Sequence, residues 1–274
     1  VCDDPGLHSS QNEQDTRVFA RFSNIPVLEP ADAQEALEFT RLAFDLSESF
    51  DTPVIVRATT RLSHTRSPVF VGSRKEAEPK GWVDDTKKTV MIPGYARLRH
   101  PLVVERIDKL SDYFSNSPLN RWDKGDRGFG VITHGTCYSY VKEVVPEATV
   151  LKIAASYPLP EKLIREFAAT VDRVIVVEEL EPVLEVEIRA LGIEAEGKAF
   201  FPRIGELPPE LVRDGLAKAG LIDAPPAVHD WDVEPIVRPP VLCAGCPHTT
   251  CYMALRAIDA LVPGDIGCYT LAAV

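Results

Sequence analysis

Between Phe129 and Ala219 two kinds of apolar segment alternate, and this alternation constrains the fold more than any other feature of the chain. FGVIT (Phe129–Thr133), TVLKIA (starting at Thr149) and RVIVVEE (starting at Arg173) are short, β-branched and lack polar alternation. That is the pattern of strands covered on both faces. Between them, GTCYSYVKEVV and PEKLIREFAATV carry helical spacing. Leu163, Ile164, Phe167, Ala168 and Val171 fall on one face. Pro182, a favoured first-turn residue, opens a further helix. IEAEGKAF then reads as a strand, and a closing helix starts at Pro208. Four strand–helix repeats predict an α/β domain with a parallel sheet and right-handed crossovers.

Ligands of such sheets lie at the C-terminal strand ends. Here these ends carry Thr133, His134, Gly135 and Thr136, then Ser156, Tyr157 and Pro158, then Glu178 and Glu179. THGT could cradle a phosphate. It is neither G-x-G-x-x-G nor a Walker motif, however, and a tight strand-to-helix turn is the favoured reading.

Upstream, DDPGLHSSQNEQD is polar with a Pro-Gly turn signal and reads as a loop. After IPVLEP, Asp32 and Glu35 form a D-x-x-E capping pattern. Phe39, Leu42, Ala43, Leu46 and Phe50 then trace one buried helical face. Pro53 ends this helix, and Val54–Arg57 (VIVR) reads as a buried strand of a second parallel sheet. From Leu62 to Gly128 the pattern weakens into a charged, Pro-containing connector with one helix, Val103–Phe114. Ala224–Pro240 is Pro-rich and reads as a linker. The expected organisation is therefore 1–67, a connector 68–127, the α/β domain 128–222, a linker 223–239, and a last element 240–274.

That last element opens with VLCAGCPHTTC, Val241–Cys251, as a strand, a loop and then a helix with Met253, Leu255, Ile258 and Leu261 apolar. Four of the chain's six cysteines, Cys243, Cys246, Cys251 and Cys268, crowd here. The spacing does not match the paired motifs of structural zinc. Nor does it match C-x2-C-x2-C-x3-C-P of a ferredoxin run. A redox C-x-x-C at a helix start stays open, as does a zinc or iron–sulfur module. Gly245 and Pro247 flank Cys246 at the start of the helix, where unpaired N–H groups and small residues suit an anion such as a diphosphate. GDIGC repeats small residues after that helix.

The formal charge of −11 disfavours nucleic-acid binding. No apolar run approaches the roughly 20 residues of a membrane span. A cytoplasmic protein is expected. The start at Val1 without Met, opening directly on the polar DDPGLHSSQNEQD, and the apolar finish GCYTLAAV lead us to expect a segment of a longer polypeptide.

RPPVLCAGCPHTTCYMALRAI with GDIGCYTL resembles the α subunit of the indolepyruvate:ferredoxin oxidoreductase family. DDPGLHSSQNEQDTR, EPADAQEALEFTRLAFDLSE and PVIVRATTRLSH resemble its pyrimidine-binding domain. VVEELEPVLE resembles its transketolase-C-terminal-like domain. The order of the motifs along the chain is also the family's. The resemblance implies α/β parallel-sheet domains of the thiamine-diphosphate enzyme type: the end of a pyrimidine-binding domain, a complete transketolase-C-terminal-like domain and the start of a diphosphate-binding domain.

It also implies an enzyme that uses thiamine diphosphate and Mg2+. The reaction would convert an aryl 2-oxo acid, CoA and oxidised ferredoxin to an aryl-acetyl-CoA, CO2 and reduced ferredoxin. A β subunit would be a partner. By the same match, Cys243, Gly245, Cys246, Pro247, His248, Asp265, Ile266, Gly267, Cys268 and Tyr269 line the cofactor pocket. His8, Ser9, Ser10, Gln11 and Asn12 face substrate or aminopyrimidine. The activating glutamate, the G-D-G…N metal motif and the four-iron clusters are expected outside the chain, so the segment alone is expected to be inactive. A non-catalytic subunit-interaction domain is a further alternative, because a doubly wound fold does not by itself define a function.

Overall fold

The computed structural model describes all residues except 9, 75–80, 82–83, 224–235, 237–240, 264–266 and 273–274. The chain divides into two compact units, Val1–Pro225 and Pro226–Val274. The first opens with β1 (Cys2–Asp3), α1 (Thr16–Ser23), β2 (Val27–Leu28), α2 (Ala33–Phe50), β3 (Ile55–Val56), β4 (Ala58–Thr59) and α3 (Thr60–His64). α4 (Thr86–Thr89), α5 (Pro93–Ser115) and β5 (Arg121–Asp123) come next. Then follow β6 (Phe129–Thr133), α6 (Cys137–Val144), β7 (Thr149–Lys152), β8 (Ala155–Tyr157), α7 (Glu161–Ala168), β9 (Arg173–Val177), α8 (Val183–Ala190), β10 (Ala195–Glu196) and α9 (Pro209–Lys218). The second unit holds α10 (Pro247–Ala257) and a 3-10 turn, Cys268–Ala272.

The alternating region forms one sheet in the order β10-β9-β6-β7-β5. The first four strands are parallel, as their periodicity predicts. Odd and even residues explain why these strands show no polar alternation. Val131, Ile175 and Val177 pack with Cys137 and Val141 of α6 and Val212 and Leu216 of α9. Ile132, Val174 and Val176 pack on the other face with Ile164 and Phe167 of α7 and Leu184 and Ile188 of α8. Each such side chain contributes about 1.5–3 kcal/mol by burial. β5 is antiparallel to β7 and was not foreseen, because Arg-Trp-Asp has no apolar run to announce it.

The structure corrects several boundaries. TVLKIA is a strand only as far as its fourth residue, and the next strand, β8, starts just beyond it. β7 ends at Lys152, and β8 pairs antiparallel with β2 in a second sheet, β3-β2-β8. Asn120 makes the turn possible by accepting the Ala154 N–H at 2.9 Å. Val54, Ile55 and Val56 are only half buried, because β3 is an edge strand of this sheet. Its continuation, β4, pairs instead with β1. The helix expected from Val103 begins ten residues earlier at Pro93, which sits in its first turn, and it contains Pro101. Proline in the first turn starts helices rather than breaking them. Leu110 and Phe114 of α5 are buried with Leu28, Phe39, Leu46, Ala154 and Ala155. Pro182 is an N-cap residue rather than part of the first turn. Val241–Cys243 form no strand, since no partner strand is present among the described residues of that unit.

The D-x-x-E cap forms on one side only. Asp32 Oδ1 accepts the Glu35 N–H at 2.8 Å. Glu35 turns away to the Ala31 N–H and to buried Lys152, whose Nζ is 2.5 Å away. Burial pulls the Lys152 ammonium below its ordinary range, and Glu35 only partly offsets this.

Gly130 lies where α7 presses on β6. A Cβ there would stand 2.7 Å from the Phe167 ring. Gly130→Ala should cost about 1–3 kcal/mol by overpacking, whereas Phe114→Ala should cost about 3–5 kcal/mol by leaving a cavity. Urea midpoints of the two variants test this, and a Gly130→Ala protein as stable as the parent would contradict the packing described.

Candidate functional site

Strand β6 has β7 on one side and β9 on the other, and the chain crosses back over β6 between them. This reversal is the place where open α/β sheets hold ligands. His134 follows β6, and Glu178 and Glu179 follow β9. In this chain the place is filled from within, by Arg17 of α1.

The Arg17 guanidinium is fully buried. Its Nη1 meets His134 Nε2 at 2.8 Å and Glu178 Oε2 at 2.5 Å. Its Nη2 donates to Asp15 Oδ2 at 2.5 Å and to the carbonyls of Glu179 and Glu181 at 2.9 and 3.0 Å. Guanidinium can only donate, so His134 Nε2 presents its lone pair and the ring proton lies on Nδ1. Nδ1 faces Glu29 Oε2 at 2.8 Å, within ion-pair range but poorly aligned for a hydrogen bond. Glu29 Oε2 also accepts from Arg57 Nη1 at 2.6 Å, and Arg57 Nε donates to Asp3 Oδ2 at 2.6 Å. A buried line of polar and charged groups thus runs Asp3–Arg57–Glu29–His134–Arg17–Glu178.

Local sequence explains each end. Asp15 caps α1 by accepting the Arg17 N–H. Pro182 offers α8 no capping side chain, so Glu178 accepts the N–H groups of Leu184 and Glu185, each at 2.9 Å. A carboxylate at a helix N-terminus is electrostatically favoured there. Burial would push the Glu29 carboxyl up, but His134, Arg57 and Arg17 outweigh it and hold it well below the usual range. Burial opposes the lowering of Asp15 as well, and Arg17 and Arg57 overcome it. Glu179 differs: burial wins and raises it, although the Leu207 N–H and Arg57 pull the other way. Glu29, Arg57, Thr59, His134, Thr136 and Glu179 line a small pocket of about 10 Å³. Within this lining, Glu29 Oε1, Arg57 Nη2 and Thr59 Oγ1 are buried without a hydrogen-bond partner.

The polar loop lies beside this frame. Asp4 is buried; its Oδ2 accepts the Ser10 N–H at 2.7 Å and its Oδ1 accepts the Thr60 hydroxyl at 2.5 Å. Ser10, Gln11 and Asn12 are exposed. His8 is half exposed, with Nε2 3.5 Å from Glu206 Oε2. Ser9 lies outside the described residues. The structure therefore brings His8, Ser10, Gln11 and Asn12 into one loop held by Asp4.

In the second unit, the Cys246 N–H bonds the Cys243 carbonyl at 3.0 Å, closing a turn in which Gly245 has φ +77°. That left-handed conformation favours glycine. Cys246 is the N-cap of α10 and Pro247 follows it in the first turn. Cys246 Sγ lies 3.4 Å from His248 Nδ1, and the His248 ring stacks on Tyr252. The thiols of Cys243, Cys251 and Cys268 are exposed and unbridged. Gly267, Cys268 and the backbone of Tyr269 lie in a turn closed by Thr270, whose Oγ1 meets the Gly267 N–H at 3.2 Å. Asp265 and Ile266 lie outside the described residues. Among the described residues, no group of three or more His, Cys, Asp or Glu side chains could hold a metal ion. No described helix is long and apolar enough to cross a membrane.

No family model matches the chain. Among solved structures, a 2-oxoglutarate:ferredoxin oxidoreductase from Magnetococcus marinus is similar, with a TM-score of 0.52 at 18% identity, covering 79% of this chain and 44% of that one. Over the matched part the two chains share this α/β fold. Closer in sequence is the indolepyruvate oxidoreductase subunit IorA of Archaeoglobus fulgidus, 40% identical over 99% of this chain and 47% of the relative. The IorA subunit of Thermococcus kodakarensis is likewise 40% identical, over 99% of this chain and 46% of the relative. The chain is a homologue of these IorA subunits along nearly its whole length, as its motifs predicted, and spans about half the length of the curated relatives it matches.

Removing Arg17 would leave Glu178 buried without its ion-pair partner and Asp15 with only the more distant Arg57, 3.9 Å away. Arg17→Met should cost about 3–5 kcal/mol. Glu29 and Asp15 also set an acid limit. Their folded values lie below the ordinary 4.5 and 3.8, so the folded state binds fewer protons than the unfolded one in this range. Their stabilisation is complete above those ordinary values and is lost as pH falls through the lowered ones. Urea unfolding between pH 6 and pH 2.5 reads this directly, and a midpoint that does not move over that interval would contradict it.

Proposed function

We propose that the chain forms part of the α subunit of a thiamine diphosphate-dependent indolepyruvate:ferredoxin oxidoreductase. The assembled enzyme converts aryl 2-oxo acids, with CoA and oxidised ferredoxin, to aryl-acetyl-CoA, CO2 and reduced ferredoxin in the cytoplasm. The observation that carries this reading is the 40% identity to IorA subunits over 99% of the chain.

The residues present suit one edge of the cofactor. Gly245 adopts a left-handed turn in which an added Cβ would meet nothing within 4 Å, and the first N–H groups of α10 follow directly. Such a turn and helix start offer donors to an anion such as a diphosphate. Cys243, Cys246, Pro247 and His248 would wall this edge, and Asp265, Ile266, Gly267, Cys268 and Tyr269 would form its second rim. Bound thiamine diphosphate supplies the carbon nucleophile that no side chain here provides. Its Mg2+ ligands, the activating glutamate and the four-iron clusters would come from polypeptide outside this chain, and a β subunit would complete the assembly. In the first unit, His8 and Asn12 offer polar contacts to the 2-oxo acid or the aminopyrimidine, with Ser9, Ser10 and Gln11 beside them.

Replacing Gly245 with Val forces a branched side chain into a left-handed turn. In the complete enzyme, thiamine diphosphate affinity measured by calorimetry should fall by about tenfold, or ~1.4 kcal/mol; an unchanged affinity would remove Gly245 from the site. Metal analysis of the anaerobically purified chain separates the cysteine-module alternative. One zinc or iron per chain, lost on Cys243→Ser, would replace the cofactor-wall reading with a metal-binding one.

A further inference from the structure

The loop Gly6–Asn12 is held from two directions, and one of them is the α/β sheet. Glu13 Oε1 accepts two backbone N–H groups, that of Gly6 at 2.6 Å and that of Gly205 at 2.7 Å. Gly205 belongs to the segment Phe201–Leu207 between β10 and α9. Phe201 and Leu207 are both buried in the core, and the Leu207 N–H is held by Glu179 Oε1 at 3.0 Å. That segment is therefore a fixed platform. Its next residue, Glu206, receives Arg61 Nη2 at 2.5 Å and Arg61 Nε at 3.1 Å and stands 3.5 Å from His8 Nε2. On the loop side the backbone is forced: Gly6 has φ +87° and Leu7, a branched residue, has φ +54°. A left-handed non-glycine residue persists only where its surroundings over-determine it. Beyond this point Ser10, Gln11 and Asn12 face outward.

We propose that Glu13 and Glu206 are positioning residues which lock the His8–Asn12 loop to the Phe201–Leu207 platform, so that the middle α/β region sets the geometry of that loop. The inference rests on the reading above that this loop faces the 2-oxo acid or the aminopyrimidine. Neither glutamate touches substrate; each acts through the loop. A carboxylate accepting two N–H groups is a strong tether, and it is single, since both bonds end on one oxygen atom of Glu13.

The test uses the complete two-subunit enzyme loaded with cofactor. Glu13→Ala and Glu206→Ala should raise either the KM for the 2-oxo acid or the half-saturating thiamine diphosphate concentration about tenfold, the order expected for one charged hydrogen bond. The kcat should stay within about threefold, because no reacting group is removed. Glu13→Gln keeps an acceptor oxygen and should recover most of the loss. Amide exchange of residues 5–12 should accelerate in Glu13→Ala without a change in overall thermal midpoint, a readout independent of turnover. If both alanine variants leave both constants within twofold while His8→Ala or Asn12→Ala raises them, the clamp is refuted and the loop assignment stands. If His8→Ala and Asn12→Ala are themselves silent, the loop assignment fails and takes the clamp with it.

Discussion

The first unit is organised around one guanidinium. Arg17 enters the reversal point of the five-stranded sheet and satisfies in one place a histidine, two carboxylates and two carbonyls. Isolated, each of these groups would be costly to bury. Together they tie the N-terminal segment to the α/β region, and both lie in one compact unit. A place that many α/β proteins leave open for a small molecule is here occupied by the chain's own side chain. The middle region then works as a socket and a platform for the segment before it.

Much of the fold was legible because burial writes itself into the sequence. The strands β6, β7 and β9 are continuous β-branched runs because helices cover both their faces. The face of α2 was readable through Phe39 and Leu46, which are indeed buried. What could not be read was pairing by partners rather than by pattern. β5 exists because β7 offers it an edge, and β8 leaves the line of β7 because β2 offers a better one. Prolines at 93 and 101 disguised the first turns of α5, since the same residue type that opens helices also ends them.

The buried ionic line left a signal that periodicity ignores. Glu29, Arg57, His134 and Glu178 each stand immediately after a short apolar strand, β2, β3, β6 and β9 respectively. A charged or titratable residue directly following an apolar run marks a strand end that faces inward. His134 and Glu178 were singled out on this ground, whereas Glu29 and Arg57 were hidden by strands of two residues each. Arg17 and Glu13 could not be identified in advance, because their partners lie 117 and 192 residues away in sequence. The cysteine stretch, conversely, was conspicuous in sequence and modest in structure: a turn, a left-handed glycine and a helix start.

The short crossing from β7 to β8 has a consequence for how this protein can vary. Lys152 and Ala155 are three residues apart but serve different sheets. The link between them is itself bonded on both sides, Ile153 N–H to Thr133 O and Ala154 O to Glu29 N–H. Side chains alternate faces with a period of two, so a single-residue insertion or deletion here would invert the inside and outside of one sheet relative to the other. The two sheets are phase-locked through a few peptide units. Length changes should therefore be tolerated in the long stretches between α3 and α5 long before they are tolerated at this short crossing.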